Sequence, residues 1–312
     1  MNEPLPFLAN EAALDRWLSD GQAVHHGLVS AARQLGRTED PERFSRGSLP
    51  VAAFGDVVIK LFPHFEEDLA ETERGCLAAL EGALPVPTPG LIEHRSLPGW
   101  HVVVMERLRG VELADRWPTL PLDARLDLAR QVGECAVALH RQAAPASVPQ
   151  IEWSAWVDER KPLVVARQRE RGAPAWLLDS LDSFVATADL SEGPRGRGWL
   201  HTELMLEHLL AEPTDQGQWR LSGLFDFEPS MVAPVDYEWS SLGLFVARGE
   251  ANVWRAVLKG LGVASTPDVP LRAFAMALMH RYVNLAWYLR RLPSPHPDLR
   301  SVIEAWFGLD AP

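Results

Sequence analysis

Residues 201–228 read HTELMLEHLLAEPTDQGQWRLSGLFDFE, two short apolar runs on either side of the polar turn PTDQGQ. The second run ends at Asp226, and a carboxylate that closes a buried strand is costly unless it binds a cation or hydrogen-bond donors. A capping carboxylate satisfied by its neighbours is the alternative. In the first run, His201, Glu203 and His208 interrupt apolar residues, which is typical of a loop that positions chemical groups. Zinc is disfavoured, because the run offers neither cysteine nor a compact His-x-x-x-His pair.

The apolar run VVIKLF, residues 57–62, predicts a strand, and it holds one of only three lysines among 30 basic residues. A lysine in such a run either extends to the sheet edge or meets a charge. Glu73 lies 13 residues further on, in the predicted helix EEDLAETERGCLAALEGAL. That helix would bring its carboxylate to Lys60 if it packed over the sheet. A surface lysine and a solvated glutamate remain the other interpretation.

Hydrophobic periodicity divides the chain into a β-rich part of about 105 residues and an α-rich part of about 200. The first part opens with one or two amphipathic helices over 11–35 and closes with the strands LIEHRS and WHVVVME. The second part contains helical patterns over 121–143, 160–190 and 236–309. This order predicts an α+β fold with two lobes.

Composition excludes several classes of protein. Of the 312 residues, 47% are hydrophobic and 23% charged, as in soluble globular proteins, and the net charge of −12 argues against nucleic-acid or anionic-membrane partners. Two cysteines form no disulfide framework, which favours a reducing compartment. The segment MNEPLPFLAN shows no signal-peptide pattern, and no apolar stretch approaches membrane-spanning length. We therefore expect a cytoplasmic protein.

Several segments, in the same order, resemble the aminoglycoside phosphotransferase and choline-kinase group, which shares the protein-kinase-like fold. VVIKL resembles the strand that carries the family's ATP-binding lysine, and the pattern E-x-x-x-L-x-x-L from Glu73 resembles the helix whose glutamate pairs with that lysine. VVVMERLRG resembles the segment that leads from a strand into the hinge. VALH, which ends at His140, resembles the helix before the substrate region. HTELMLEH occupies the place of the H-G-D-x-x-x-x-N loop. LFDFEP resembles the D-F-x segment that binds metal in the family. YEW, at 237–239, resembles the Y-D-L sequence that follows this segment in the family. The resemblance spans roughly residues 40–290.

The resemblance implies a β-rich N-lobe over 1–107, with N-terminal helices and the nucleotide-binding sheet. A larger, α-rich C-lobe over 108–312 would carry the catalytic loop and the acceptor site. Lys60 would hold the α- and β-phosphates of ATP, oriented by Glu73, and Asp226 would hold Mg²⁺ against the phosphate oxygens.

Three further residues would bind the nucleotide. Ser48, in the Gly47-Ser48 turn, would belong to the loop that covers the phosphates, although this loop has only one glycine. Adenine would dock on the backbone around Glu106 and Leu108, with Met105 behind it.

Three residues depart from the family pattern. Glu203 replaces the catalytic aspartate and would accept or orient the proton of the acceptor hydroxyl. His208 replaces the asparagine that is the second metal ligand, although imidazole is a poor ligand for Mg²⁺. Glu238 replaces a structural aspartate that braces the loop. Since Lys60 and Asp226 keep the residue types of the family, the pattern indicates a subfamily whose loop changed consistently rather than a site that has lost its function.

The sequence therefore predicts an ATP- and Mg²⁺-dependent phosphotransferase that acts on a hydroxyl of a small molecule. By resemblance, an aminoglycoside-like antibiotic is a reasonable acceptor, and antibiotic resistance is the implied role. Two alternatives stay open. One is a pseudokinase-type module that binds nucleotide, or regulates a partner, without phosphotransfer, and the other is nucleotidyl transfer on the same fold.

Overall fold

The computed structural model describes residues 4–44 and 46–309. The chain forms two compact units. The first comprises Met1–Arg109, Ala144–Val148 and Gly223–Pro229, and the second comprises Gly110–Ala143, Pro149–Ser222 and Ser230–Pro312. The division into functional lobes at 107 and 108 stays a prediction. The first three residues of the segment that we expected to lack a signal peptide lie outside the described residues.

The described residues of the first unit form a five-stranded antiparallel sheet with three α-helices, and the order of the strands is β1-β2-β3-β5-β4. Its strands are β1 (Glu42–Arg43), β2 (Val51–Phe54), β3 (Val57–Pro63), β4 (Leu91–Leu97) and β5 (Trp100–Glu106). Its helices are α1 (Glu11–Leu18), α2 (Gly21–Gln34) and α3 (Glu67–Leu80).

Local capping and apolar spacing explain the two N-terminal helices. The side chain of Asn10 accepts a hydrogen bond from the backbone N–H of Ala13 at the start of α1, and Asp20 caps α2 in the same way. Their apolar faces pack on β2, β3 and β5 in one hydrophobic core, whose buried members include Leu14, Val24, Leu28, Ala52, Ile59, Leu61, Val102 and Val104.

The second unit is mainly helical, and up to residue 309 it contains two small sheets, β6-β8-β9 and β7-β10. The strands are β6 (Val111–Glu112), β7 (Arg197–Leu200), β8 (Leu209–Pro213), β9 (Trp219–Leu224) and β10 (Met231–Pro234), of which β9 runs on into the 223–229 segment of the first unit. The helices are α4 (Leu113–Arg116), α5 (Leu122–His140), α6 (Trp153–Arg160), α7 (Val164–Glu170), α8 (Ala175–Thr187), α9 (Trp239–Ser241), α10 (Ala251–Gly260), α11 (Asp268–Met279), α12 (Leu285–Arg291) and α13 (Leu299–Phe307).

The predicted α+β class, with its β-rich first part and helical second part, is confirmed. The helical stretch over 160–190 is wrong in one respect, because the structure divides it into α7 and α8. Gly172, with φ +80°, and Pro174 lie between these two helices. A left-handed glycine ends a helix, and proline cannot continue one, so the interruption follows from local chemistry. Among the described residues, no helix is both long and apolar enough to cross a membrane.

Helices α5 and α10 approach each other closely where both carry glycine. A Cβ on Gly133 would lie 2.3 Å from the carbonyl oxygen of Val257, and a Cβ on Gly260 would lie 2.1 Å from that of Arg130. Both obstructions are backbone atoms, which cannot move aside as a flexible side chain can. The crossing of these two helices therefore requires glycine at both positions.

Gly260→Ala should lower the free energy of unfolding by about 1–3 kcal/mol, because the added methyl group overpacks a backbone contact. This loss exceeds the gain of up to about 1 kcal/mol that alanine brings to a helix. Urea unfolding measures the change. Gly21→Ala is the control, since its Cβ would lie 3.4 Å from the flexible end of Arg43. A Gly260→Ala protein as stable as the parent would contradict the close crossing.

Candidate active site

Lys60 lies on β3 between β2 and β5, opposite Val51 and Val103. Only 5% of its surface is exposed, and both alternating faces of the strand around it are largely buried. The interpretation of Lys60 as a surface lysine is therefore wrong. A buried ammonium requires compensating charge, because its desolvation costs several kcal/mol.

Three carboxylates surround the Lys60 ammonium within the first unit. Its Nζ donates to Oδ1 of Asp226 and, over 2.8 Å, to Oε2 of Glu228, and it lies 3.9 Å from Oε2 of Glu73. We call Lys60, Glu73, Asp226 and Glu228 the lysine cluster. It joins β3, α3 and the 223–229 segment, so sequence-distant elements converge on one cation.

The lysine cluster is electrostatically unbalanced. Burial would lower the pKa of Lys60, but the carboxylates of Asp226, Glu228 and Glu73 raise it well above its usual range. Burial raises the pKa of Glu73, against the opposing effect of Lys60. The pKa of Glu228 is raised well above its usual range by burial and by the nearby Asp226 charge. The ammonium therefore stays charged while the carboxylates compete for it.

The 223–229 segment has a constrained backbone. Asp226 has φ +75°, a left-handed conformation that is uncommon outside glycine and typical of functional sites. The N–H of Leu224 donates to the carbonyl of Pro87 over 3.0 Å, and the thiol of Cys76 lies 3.9 Å from the Phe227 carbonyl oxygen. These contacts fix both sides of Asp226 and hold its carboxylate at Lys60.

Glu228 is a member of the cluster that sequence reasoning missed. The signal was present in LFDFE, where a second acidic residue follows Asp226 after one apolar residue. Oxygens of Glu73, Asp226 and Glu228 all lie within 4.8 Å of one another. Carboxylate oxygens are ligands that Mg²⁺ prefers, and one ammonium against three carboxylates leaves negative charge for a dication to neutralise. The residues present therefore fit a divalent cation.

The other predicted nucleotide-binding residues lie elsewhere in the first unit. Ser48 is exposed in the connection between β1 and β2, beside Gly47 with φ +131°. Glu106 ends β5, and its backbone N–H donates to the Gly90 carbonyl over 2.9 Å. Because this N–H is already engaged, adenine would have to contact the carbonyl group of Glu106. Leu108 follows as a half-buried residue, and Met105 is 5% exposed.

In the second unit, the segment 201–208 follows directly after β7, and we call it the carboxylate loop. The N–H of His201 donates to Oε2 of the fully buried Glu238 over 3.0 Å, and Nε2 of His140 lies 3.5 Å from the same oxygen. Burial alone would raise the pKa of Glu238, but His140 and His201 outweigh it and hold this pKa below its usual range. Glu238 thus anchors the start of the loop as a carboxylate.

Glu203 and His208 lie in the carboxylate loop and are joined through the backbone. Nδ1 of His208 lies 2.8 Å from the carbonyl oxygen of Glu203. A carbonyl only accepts, so Nδ1 carries the proton, and Nε2 of the neutral ring is the nitrogen that has a lone pair. The Glu203 charge contributes to raising the pKa of the buried Tyr288 to about 12, after the larger effect of burial.

Two more residues of this region escaped sequence reasoning. Thr202 stands at the glycine of the H-G-D pattern and has φ +70°, a conformation that a β-branched residue rarely adopts. A threonine where the family pattern has glycine was a signal, present in the sequence, that this position is unusual. His280 lies 78 positions further along the chain, and its Nε2 is 3.2 Å from the Thr202 carbonyl oxygen. The sequence gives no sign of that contact.

The tryptophans between 150 and 195 divide between core and partly exposed positions. Trp153 is buried and donates from Nε1 to the Leu190 carbonyl over 2.7 Å. Trp156 is half-buried, donates to the Met279 carbonyl, and has the Arg160 guanidinium 3.2 Å from its ring centroid. Trp153 is thus a structural residue.

The fold and these two groups of residues agree with known proteins. A sequence model described as the phosphotransferase enzyme family matches residues 31–276. The chain is similar to APH(2")-IIia, solved as a GDP and kanamycin complex, with 20% identity, 81% of this chain and 89% of that one covered, and a TM-score of 0.64. It is also similar to aminoglycoside phosphotransferase APH(3'')-Id from Streptomyces rimosus, solved with ADP and streptomycin, with 16% identity, 81% and 97% covered, and a TM-score of 0.59.

A third similar structure is the macrolide 2'-phosphotransferase MphH from Brachybacterium faecium, with 20% identity, 91% of this chain and 98% of that one covered, and a TM-score of 0.56. At these identities the likeness shows the shared fold, which is the protein-kinase-like fold that the sequence predicts. The family match covers most of the chain and defines a phosphotransferase of the small-molecule kinase class. This chain belongs to the phosphotransferase enzyme family.

His280 makes stability depend on pH. Burial lowers its pKa to about 4 from an ordinary value of 6.5. Between about pH 6.5 and pH 4 the unfolded chain therefore binds a proton that the folded chain does not, so stability falls as the pH falls. The contribution reaches ~3 kcal/mol at the acid end of this window.

His280→Gln cannot titrate and should flatten the decline in urea midpoint between pH 6.5 and 4, compared with the parent. Other acidic and basic groups contribute to both proteins and cancel in the comparison. The same measurement on His296→Asn, a change at an exposed histidine, is the control. Equal slopes for the parent and His280→Gln would contradict the lowered pKa.

Proposed function

We propose that this chain transfers the γ-phosphoryl group of ATP to a hydroxyl of a small molecule, and that aminoglycoside-like antibiotics are the first acceptors to test. The observation that carries the proposal is the lysine cluster, a buried ammonium held against the carboxylate of Asp226, two residues after the end of β9. It occurs in a chain of the phosphotransferase enzyme family. Similar solved proteins contain GDP or ADP with kanamycin or streptomycin, which supports both the nucleotide and the acceptor class.

In this proposal, Lys60 binds the α- and β-phosphates, and Glu73 keeps its ammonium in place. Asp226 holds the Mg²⁺ of the nucleotide, with the carboxylate of Glu228 nearby. When bound, Mg²⁺ supplies charge neutralisation at the phosphate oxygens. His208 is the second candidate metal residue, through Nε2, because its Nδ1 is already engaged by the Glu203 carbonyl.

Glu203 is the proposed catalytic carboxylate. It would accept or orient the proton of the acceptor hydroxyl, which aligns the oxygen with the γ-phosphate. Ser48 of the β1–β2 connection would contact the phosphates, and the backbone at Glu106 and Leu108 would receive adenine. Phosphoryl transfer needs alignment and charge neutralisation more than covalent help, so these roles suffice for the reaction.

The experiment incubates the chain with γ-labelled ATP, Mg²⁺ and separate samples of kanamycin, gentamicin, streptomycin and a macrolide. Label transfer and a mass gain of one phosphoryl group identify the acceptor. Saturable ATP binding without transfer to any acceptor or to water would favour the pseudokinase alternative. Transfer of the nucleotidyl group would appear as a different mass gain and would favour the third possibility.

Glu203→Gln should lower kcat by about 10²–10⁴-fold and leave ATP affinity within about twofold, because the amide keeps the size but loses the base. Glu207→Gln makes the same change in the same loop and should retain activity. If Glu203 only braces the loop, Glu203→Gln would instead lower the melting temperature and leave turnover per folded molecule unchanged. That result would withdraw the catalytic role.

Asp226→Asn should remove the Mg²⁺-dependent part of the melting-temperature shift that ATP produces. A neutral amide is a much weaker ligand for a hard dication than a carboxylate. Melting curves with ATP are compared in the presence of Mg²⁺ and of chelator, and the exposed Asp215→Asn is the control. A metal-dependent shift that survives in Asp226→Asn would place the metal at other residues.

A further inference from the structure

Thr202 occupies a strained and buried position immediately before the proposed catalytic carboxylate. Its φ of +70° lies in the left-handed region, and none of its surface is exposed. This conformation is unfavourable for L-residues other than glycine and is a genuine outlier for a β-branched side chain. Such a backbone persists only where the surrounding structure fixes it. Contacts elsewhere in the second unit must therefore hold the peptide after Thr202.

His280 supplies such a contact, and both of its ring nitrogens are engaged. Nε2 lies 3.2 Å from the carbonyl oxygen of Thr202, and because this oxygen only accepts, Nε2 carries the proton. Nδ1 accepts the backbone N–H of Tyr282 over 3.3 Å. The two bonds select one neutral tautomer. Burial also lowers the pKa of His280 to about 4, so this donor pattern persists at neutral pH.

The His280 ring is itself held in place. It stacks on Tyr237 with ring centroids 5.2 Å apart and an interplanar angle of 22°. The hydroxyl of Tyr237 accepts the backbone N–H of Arg281 over 3.1 Å. The imidazole can neither rotate freely nor exchange its two nitrogens without breaking these contacts, so the donor to Thr202 has a fixed direction.

The three residues at the start of the carboxylate loop each have a backbone atom bound by a side chain. Glu238 accepts the His201 N–H, His280 donates to the Thr202 carbonyl, and His208 donates to the Glu203 carbonyl. Of these, only the bond from His280 acts on the residue with the strained φ angle. Glu203 follows Thr202 directly, so a relaxation of Thr202 would redirect the Glu203 side chain.

We propose that His280 is a positioning residue, which holds Thr202 in the left-handed conformation through the Nε2–H donor and thereby sets the direction of Glu203. The inference rests on the proposed function, because the consequence of a misdirected Glu203 is slower phosphoryl transfer. His280 touches neither the nucleotide nor the acceptor in this scheme. It acts through the loop backbone, and its loss should affect turnover more than substrate binding.

A matched pair of variants separates the two bonds of the ring. The amide nitrogen of glutamine lies as many bonds from Cβ as Nε2 of histidine, so His280→Gln can keep the donor to Thr202. Asparagine places its amide at the level of Nδ1, so His280→Asn can accept from Tyr282 but cannot reach Thr202. His296→Asn changes an exposed histidine and serves as the control.

The assay measures phosphate release from ATP to water and transfer from ATP to kanamycin, with Mg²⁺ present. His280→Asn should lower kcat by about 10–100-fold, since small displacements of a catalytic group have effects of this size. KM for ATP should stay within about twofold. His280→Gln should recover most of the loss, and His296→Asn should match the parent. Equal kcat in His280→Asn and the parent would overturn the inference.

Thr202→Gly provides the second arm, because glycine adopts positive φ without strain. In the Thr202→Gly background the left-handed conformation is less strained and depends less on His280. There, His280→Asn should lower kcat by less than about threefold. If His280→Asn lowers kcat by the same factor, or a larger one, in both backgrounds, the strain at Thr202 is not what His280 controls, and the inference fails.

A spectroscopic measurement tests the contact independently of turnover. Long-range ¹H–¹⁵N spectra of the full chain with labelled histidine should show His280 as the Nε2–H tautomer, assigned by its absence in His280→Gln. An Nδ1–H tautomer would overturn the inference even if the enzyme is active. If the wild-type chain transfers phosphate neither to water nor to any acceptor, the proposed function fails, and this inference fails with it. Normal turnover with an unaffected His280→Asn rejects the inference alone.

Discussion

The first unit is organised around one buried cation. The Lys60 ammonium lies in the middle of the sheet, where water cannot solvate it, so the chain must supply the compensating charge. It does so from α3 through Glu73 and from the 223–229 segment through Asp226 and Glu228. Because these carboxylates come from distant parts of the sequence, the charge requirement links the central strand, the helix and the segment after β9.

In the second unit the buried charge is an anion, the carboxylate of Glu238, which anchors the carboxylate loop. Glu238 has no exposed surface, and its carboxylate is kept ionised by His140, His201 and the His201 N–H. In the first unit the buried group is instead a cation, and the carboxylates around Lys60 compete for it, with burial raising the pKa of both Glu73 and Glu228.

The sequence predicted the elements better than it predicted their burial. Period-two alternation and β-branched residues identify β3, and apolar residues at steps of three and four identify α3, because both signals are local. The same alternation left Lys60 open to a surface interpretation, because it does not reveal that α3 covers the sheet. The order of matched segments identified the family, and low-identity structural neighbours agree with the fold.

The sequence predicted the candidate site less completely than the fold, for physical reasons. Glu228 and Thr202 stand inside quoted motifs, yet their importance depends on where a backbone turns, and spacing alone does not reveal this. The contact of His280 with Thr202 joins residues 78 positions apart on elements without a shared pattern. A hydrogen bond between a ring nitrogen and a backbone carbonyl leaves no complementary residue type to recognise.

The anchoring of the carboxylate loop through its backbone explains how its residue types can differ from the family pattern. Glu238, His280 and His208 bind an N–H or a carbonyl group, which any residue other than proline would offer at those positions. The path of the loop therefore does not depend on a glycine at Thr202 or on an aspartate at Glu203. With the backbone fixed, the additional methylene of Glu203 displaces its carboxylate rather than the loop. With this course of the chain, the longer reach of the Glu203 side chain is one difference between this loop and one built on aspartate.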